Sequence, residues 1–186
     1  VIHQSTNKKK INFKNKKKII IFVGRLNKSK GYDIFCNAVV KILNKYPDWK
    51  AVAIGDEPRE RIIFNHKRFK NLGFLENSKV TSWFKKSDIS VVCSRINEPF
   101  GRTALEASSA GCAVIITDRG GLPEASSSAL KIRNLSIKNL QKKIEKLINN
   151  EGYKKDLQKK IYKNFKLTNE LASKKIDKYR IKIIKS

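Results

Sequence analysis

In a chain of 186 residues with a formal net charge of +26, Glu98 and Glu106 stand eight positions apart in EPFGRTALEASSAG, residues 98–111. A second stretch, GRLNKSKG at 24–31, sets Arg25 and Lys30 between Gly24 and Gly31. The two sets suit different partners. Glycine beside a helix start leaves backbone N–H groups open to an anion, and the helix dipole favours negative charge there. With Arg25 and Lys30 added, a diphosphate is the natural ligand. Two fixed cations can neutralise it without a metal ion, and the sequence contains no Asp-x-Asp pair. A carboxylate beside phosphate is repulsive unless it serves another group. Glu106 is therefore expected to accept hydrogen bonds from vicinal hydroxyls such as those of a ribose, and Glu98 to do the same for a sugar. Each element has a plainer reading by itself. A basic pair after a strand is commonly a solvated loop, and a Glu in a first helical turn commonly a partner for the dipole.

These residues gain weight from the elements that must position them. Ile19 to Val23 is an unbroken apolar run ended by Gly24, the pattern of a buried strand. From Gly31 to Tyr46, Ile34, Phe35, Ala38, Val39, Ile42 and Leu43 recur at helical spacing, and Pro47 marks the stop. Further strands are expected at Ala51–Ile54, Phe69–Leu72, Ile89–Cys93 and Ala113–Thr117, with a weaker one at Ala129–Ile132. Helices are expected from a cap at Asn77 or Ser78 and over Thr103–Ala110, where Gly111 can end the turn. Such alternation implies an α/β domain with a doubly wound parallel sheet. From Ser136 onward the pattern is helical, with a break near Asn149 to Gly152 and later helices near Tyr153–Phe165 and Asn169–Ile184. They are expected to pack on the same domain, with residues 1–18 as a linker or edge and 19–186 as the single domain. In such a sheet the ligand site lies in the loops after the strands, where both GRLNKSKG and SRINEPFGRT fall.

The charge is uneven. Residues 1–18 hold seven Lys and no acid, and residues 131–186 hold 18 Lys and Arg against five acids. One reading is that Lys, Ile and Asn are inflated together by an AT-rich genome and solvate helix faces. Another is contact between the terminal lysines and an anionic membrane surface. No nucleic-acid motif is present, and the aromatics do not interleave with the basic runs as stacking platforms would, so nucleic acid is not the expected partner. Cys36, Cys93 and Cys112 form no C-x-x-C pair, and His3 and His66 stand apart, so neither a disulfide framework nor a zinc motif is indicated, and a reducing cytoplasm fits. No apolar run approaches the ~18 residues of a membrane span.

Three motifs together carry a resemblance to a known family: Gly24-Arg25 with Lys30-Gly31, the Glu98 to Glu106 pair, and Gly120-Gly121-Leu122-Pro123-Glu124. The chain resembles the C-terminal, donor-binding domain of GT-B-fold retaining glycosyltransferases of family 4, from Val1-Ile2-His3 to the last helix. EPFGRTALEA looks most like bacterial enzymes that build lipopolysaccharide or other surface glycans. The resemblance implies that the substrate is a nucleoside-diphosphate sugar, that no metal or other cofactor is used, and that the acceptor is a glycan or a lipid-linked glycan. It implies that Arg25 and Lys30 hold the diphosphate beside Gly24 and that Glu98 takes a donor-sugar hydroxyl next to the N–H groups of Phe100 and Gly101. Arg102 and Thr103 would meet the phosphates, Glu106 the ribose, and the backbone of Gly73 and Phe74 the base. The chain departs from the family pattern at Gly55-Asp56-Glu57-Pro58, often Gly-x-Gly-Pro, and at Cys93, often Pro; both fall near the base pocket. Ser108 and Ser109 replace residues that are usually more apolar.

The family's N-terminal domain, which binds acceptor, has no counterpart in these 186 residues. The chain reads as the donor half of a transferase, expected to bind a nucleotide sugar and to turn over little alone. Two competing readings are a nucleotide-sugar epimerase on the same architecture and a basic module that binds polyanions or membranes through its ends.

Overall fold

The computed structural model describes residues 2–184; Val1, Lys185 and Ser186, the outermost residues of the two expected segments, lie outside them. Strands β1 (Lys17–Val23), β2 (Lys50–Ile54), β3 (Phe69–Asn71), β4 (Ser87–Val92), β5 (Ala113–Thr117) and β6 (Leu130–Ile132) form one six-stranded sheet in the order β3-β2-β1-β4-β5-β6. Every pairing is parallel. Helices α1 (Tyr32–Lys45), α2 (Asn77–Lys86), α3 (Arg102–Ser109) and α4 (Leu122–Ala125) lie between strands, and α5 (Ile137–Asn149), α6 (Glu151–Lys163) and α7 (Asn169–Ile184) follow the sheet. This is the doubly wound α/β domain expected from the alternation of elements.

All residues of β4 and β5 are buried, as are Ile19 to Phe22 of β1. Strands covered on both faces lose the in/out alternation of a half-exposed sheet, which is why they read as continuous apolar runs. α1 lays Ile34, Phe35, Ala38, Val39, Ile42 and Leu43 into the core and packs against α5, which contributes Leu140, Ile144 and Leu147. α6 is pinned to the start of β4 by an enclosed ion pair, Lys154 Nζ to Asp88 Oδ2 at 2.7 Å, while the Gln158 amide donates to Asp88 Oδ1 at 3.0 Å. α7 buries no residue of its own. Among the described residues no helix is long and apolar enough to cross a membrane.

The order of the strands fixes where a ligand can sit. β1 leads outward through α1 to β2 and β3, and the chain then returns to place β4 on the other side of β1. The loops after β1 and β4 therefore leave neighbouring strand ends in opposite directions and open a crevice.

Three local features differ from the sequence expectation. The cap expected at Asn77 or Ser78 is not made: α2 begins one residue earlier, behind Glu76, whose backbone is extended and whose side chain makes no cap bond. The buried pair Val80 and Phe84 sets that register, with Val80 N donating to Glu76 O at 3.0 Å. α4 was not expected, because four residues are too few to show a period. Lys16 does not behave as a solvated member of the N-terminal basic run. Its ammonium donates to Phe84 O, Ser87 O and Ala110 O at 2.9, 2.9 and 2.8 Å, joining the ends of α2 and α3 to the start of β4. The segment ahead of it lies along the domain, with Thr6 N bonded to Leu167 O and Lys9 N to Ser109 O.

Candidate functional site

The loops after β1 and β4 are joined to each other before either meets a ligand. Arg95 N donates to Ser29 O at 2.8 Å, and the Arg95 guanidinium reaches both Lys28 O and the Asp33 carboxylate. On the other side of the loop, Lys30 N donates to Asn27 Oδ1 at 3.0 Å, and Asn27 Nδ2 to Glu57 Oε2 at 3.1 Å. With both loops fixed, Lys30 Nζ lies 2.6 Å from Glu98 Oε1; these side chains are 27% and 12% exposed, so the pair is sheltered yet open on one side.

The loop carrying Glu98 rests on two glycines. Gly121 N donates to Glu98 O at 2.7 Å. Gly120 has φ +53°, and a Cβ there would fall 2.2 Å from Glu98 O and 2.6 Å from Glu98 N, distances that no side chain permits. Gly101, with φ +98°, turns the chain into α3, and a Cβ on it would meet Leu122 Cδ2 at 2.5 Å. Gly120-Gly121-Leu122 is thus the seat of the Glu98–Gly101 loop. After that turn, Leu105 N to Gly101 O is the first bond of α3. The N–H groups of Arg102, Thr103 and Ala104 precede it, and the first turn contains no acid.

Two cavities open along the carboxyl ends of the strands. One, of about 320 Å³, lies between β1 and β4 and is lined by Gln4, Gly24, Lys30, Ser94 and Glu98 through Thr103, with Phe22, Val23 and Val92 as its apolar wall. The other, of about 490 Å³, lies over β1 and β2 and is lined by Arg25, Gly55, Asp56, Phe74, Leu75, Asn77 and Glu106. Val23, Gly24 and Arg102 line both. Each cavity therefore has its own glutamate and its own basic residue, and the two meet at Gly24 and the first turn of α3. Arg25 is exposed and makes no hydrogen bond or ion pair with any described residue. Glu106 keeps a side-chain exposure of 18% and accepts from Arg102 Nη2 at 3.4 Å. Among the described residues no group of three or more His, Cys, Asp or Glu side chains is placed to hold a metal ion.

The model of the family of glycosyl transferases group 1 matches residues 3–166. The chain belongs to this family. It is 32% identical over 113 residues to the lipopolysaccharide core biosynthesis mannosyltransferase LpcC of Rhizobium leguminosarum bv. viciae, covering 54% of this chain and 31% of that protein. It is similar to the crystal structure of the C-terminal domain of a glycosyl transferase group 1 family protein, LpcC, from Francisella tularensis, with a TM-score of 0.69 and 29% identity over 80% of this chain and 84% of that one. It shares its fold with Anabaena HepE in complex with UDP-glucose, with a TM-score of 0.67 and 19% identity over 87% of this chain and 49% of that one. The chain spans about a third of the length of the curated relatives it matches.

Within this group 1 glycosyltransferase domain, Lys30, Glu98, Phe100, Gly101, Arg102 and Thr103 share the first cavity, and Arg25, Phe74 and Glu106 border the second. Arg25 and Lys30, read together in the sequence, fall on different cavities to either side of Gly24. Gly73 lines neither; its carbonyl accepts from Gly55 N at 2.8 Å, which holds the loop after β3 against the loop after β2. Phe74 projects outward, 76% exposed. Gln4 and Ser94 were not singled out as site residues by the sequence, having neither a charge pair nor a glycine beside them; Asn77 was read only as a helix cap, and Asp56 only as part of the departure at Gly55–Pro58. His3 likewise gave no signal, yet its ring stacks on Phe100 at 5.8 Å between centroids and its Nδ1 lies 3.4 Å from Glu124 Oε2.

Proposed function

We propose that this domain binds a nucleoside-diphosphate sugar across the two joined cavities and serves as the donor site of a transferase that delivers a hexose-type sugar to a glycan or lipid acceptor. The observation that carries the reading is the meeting of the cavities at Gly24 and Arg102. A diphosphate placed there faces the open N–H groups of α3, with Lys30 on one side and Arg25 on the other. Its sugar then enters the cavity of Glu98, and its ribose that of Glu106. Phe74 and Leu75 border the end of the second cavity, where the base would lie, and the backbone of Gly73 and Phe74 is the segment assigned to read it.

In this reading Arg25 and Lys30 stabilise the negative charge that grows on the departing diphosphate, the largest electrostatic demand of the transfer. Glu98, held 2.6 Å from Lys30, accepts a sugar hydroxyl beside the N–H groups of Phe100 and Gly101. The reaction proceeds with retention and needs no metal, since two cations and a helix terminus supply the positive charge. Acceptor binding belongs to parts of the protein outside these residues, in keeping with the share of the relatives' length that they span, and the domain by itself turns over little. Similarity to mannosyltransferases of lipopolysaccharide core biosynthesis supports a surface glycan as the product.

Calorimetric titration of the 186-residue chain with UDP, GDP and ADP in magnesium-free buffer tests the reading. Saturable binding of one nucleotide, weakened by both Arg25→Ala and Glu106→Ala, is the expected result. Binding to none by a folded chain, or binding indifferent to both substitutions, counts against it.

A further inference from the structure

The amino ends of the strands carry a second concave surface, on the opposite edge of the sheet from the joined cavities. β1 is seven residues long, so at about 3.3 Å per residue roughly 20 Å separate the two edges. A cavity of about 620 Å³ lies at this far edge, with Trp83 in its wall. The strand register gathers cations around it. Ile19 pairs with Lys50 and Ala51 with Phe69, so Lys17 and Lys18 at the start of β1, Lys50 at the start of β2, and Lys67 and Arg68 just ahead of β3 come to one level. Lys70 from β3 and Lys86 from the last turn of α2 complete the lining.

The acids nearby are already matched. Asp48, the one carboxylate in the cavity wall, is paired with Lys18; Asp88 is paired with Lys154 and Glu151 with Lys155. By contrast Lys17, Lys50, Lys67 and Lys70 are exposed and make no ion pair or side-chain hydrogen bond with any described residue. The Lys86 ammonium lies 5.8 Å from the Trp83 ring centroid. Arg68 donates to Leu43 O and Pro47 O, while its Nε is buried without a partner. The local potential registers on His66, whose pKa is lowered by burial and then by the charges of Arg68 and Lys67. An exposed lysine on the edge strand β3 is explained by protection against strand addition. That accounts for Lys70, but not for lysines at the starts of two inner strands. Converging like charges repel one another until a counter-charge arrives.

We propose that this face is a second anion site, separate from the nucleotide crevice, that takes a ligand presenting two or more phosphate groups, either as headgroups of a phospholipid bilayer or as a soluble oligophosphate. Phosphate, rather than a single fixed carboxylate, is favoured by the makeup of the patch. Its free donors are ammonium groups on flexible stems, which meet phosphate oxygens as point charges from several directions. Clustered lysines beside a tryptophan are also the combination that suits an anionic membrane surface.

The test has two arms on the 186-residue chain: calorimetric titration with tripolyphosphate, and co-sedimentation with vesicles of phosphatidylcholine alone or mixed with phosphatidylglycerol. Three proteins are compared: the wild type, Lys50→Glu/Lys67→Glu/Lys70→Glu, and Lys175→Glu/Lys178→Glu/Lys182→Glu, which makes the same change of net charge on α7. All six lysines are exposed and make no side-chain hydrogen bond or ion pair with any described residue, so both variants should keep the wild-type unfolding midpoint. Loss of affinity on the order of a hundredfold in the first variant, with little change in the second, is expected in at least one arm, and the responding arm names the source of the phosphate. Equal loss in both variants would assign the binding to net charge and overturn the site. So would the absence of wild-type binding in both arms.

Discussion

Arg95 grips Asp33 across the base of the crevice through two parallel bonds, Nη1 to Oδ1 at 2.5 Å and Nη2 to Oδ2 at 2.6 Å. Asp33 sits in the first turn of α1 and Arg95 in the loop after β4, so this fork joins the two loops that hold Lys30 and Glu98. Burial by itself would raise the Asp33 pKa, but the hydrogen bonds and charge of Arg95 outweigh it and hold the carboxyl below its ordinary 3.8. A carboxyl depressed in the folded state adds stability above its unfolded pKa and loses it as pH falls through the folded value. Urea unfolding between pH 7 and 3 should therefore show a steeper loss below pH ~4 in the wild type than in Asp33→Asn. Parallel acid limbs would show that the fork does not contribute.

Under the proposed function, Lys30 and Glu98 serve different halves of the donor. Lys30→Ala removes a charge-assisted contact worth about 1.5–3 kcal/mol and should weaken nucleoside diphosphate by about ten- to a hundredfold. Glu98→Gln should leave the nucleoside diphosphate almost unaffected and weaken its sugar conjugate, because the carboxylate lines only the cavity that the proposal assigns to the sugar. Calorimetry with both ligands on both variants separates these roles.

Gly120→Ala tests the seat under Glu98. The new methyl group meets backbone atoms rather than a side chain that can swing aside, and the residue must also hold φ +53°. A loss of about 1–3 kcal/mol in unfolding free energy is expected, together with weaker binding of the nucleotide sugar. Stability lost with donor affinity intact would show that the loop relaxes without moving Glu98.

Lys16→Ala removes an ammonium donor from three carbonyls at the ends of α2 and α3 and the start of β4; Phe84 O keeps Ser87 N and Cys112 Sγ, and Ser87 O keeps Cys112 Sγ, so the loss falls most on Ala110 O. Destabilisation by about 2 kcal/mol is expected in denaturant unfolding. Substitution of the exposed Lys17 should change stability by no more than about 0.5 kcal/mol.

The cysteines should be silent in the native state. Burial pushes Cys36 and Cys93 up to about 12 and raises Cys112, so each stays a protonated thiol well above neutral pH. A thiol reagent at pH 8 should label none of them until the protein is unfolded. Rapid native labelling would expose an opening of the core at Cys93 beside the crevice.

The sheet and the two loops that line the first cavity were legible because their signals are local. The apolar runs at Ile19–Val23 and Ala113–Thr117 have one plausible home, and Gly101 next to a helical pattern announces a turn into α3. Arg95 and Lys16 were opaque for the opposite reason. Nothing within a few residues of either shows what it will touch, since Asp33 lies 62 residues from Arg95 and Ala110 lies 94 from Lys16. A lysine in a basic run looks solvated until its three carbonyls are seen. The separation of Arg25 from Lys30 was hidden similarly, because a loop of eight residues reads as one patch although Gly24 divides its surroundings into two cavities.

The contact of Glu98 and Phe100 with Gly120 and Gly121 leaves no room for a single added carbon, and that couples two stretches of sequence about twenty residues apart. They form one unit of inheritance. Drift in either is tolerated only with a matched change in the other, and a crossover falling between residues 101 and 120 would marry a loop to a foreign seat. Chimaeras designed to trade donor preference among relatives should therefore carry both stretches from the same parent.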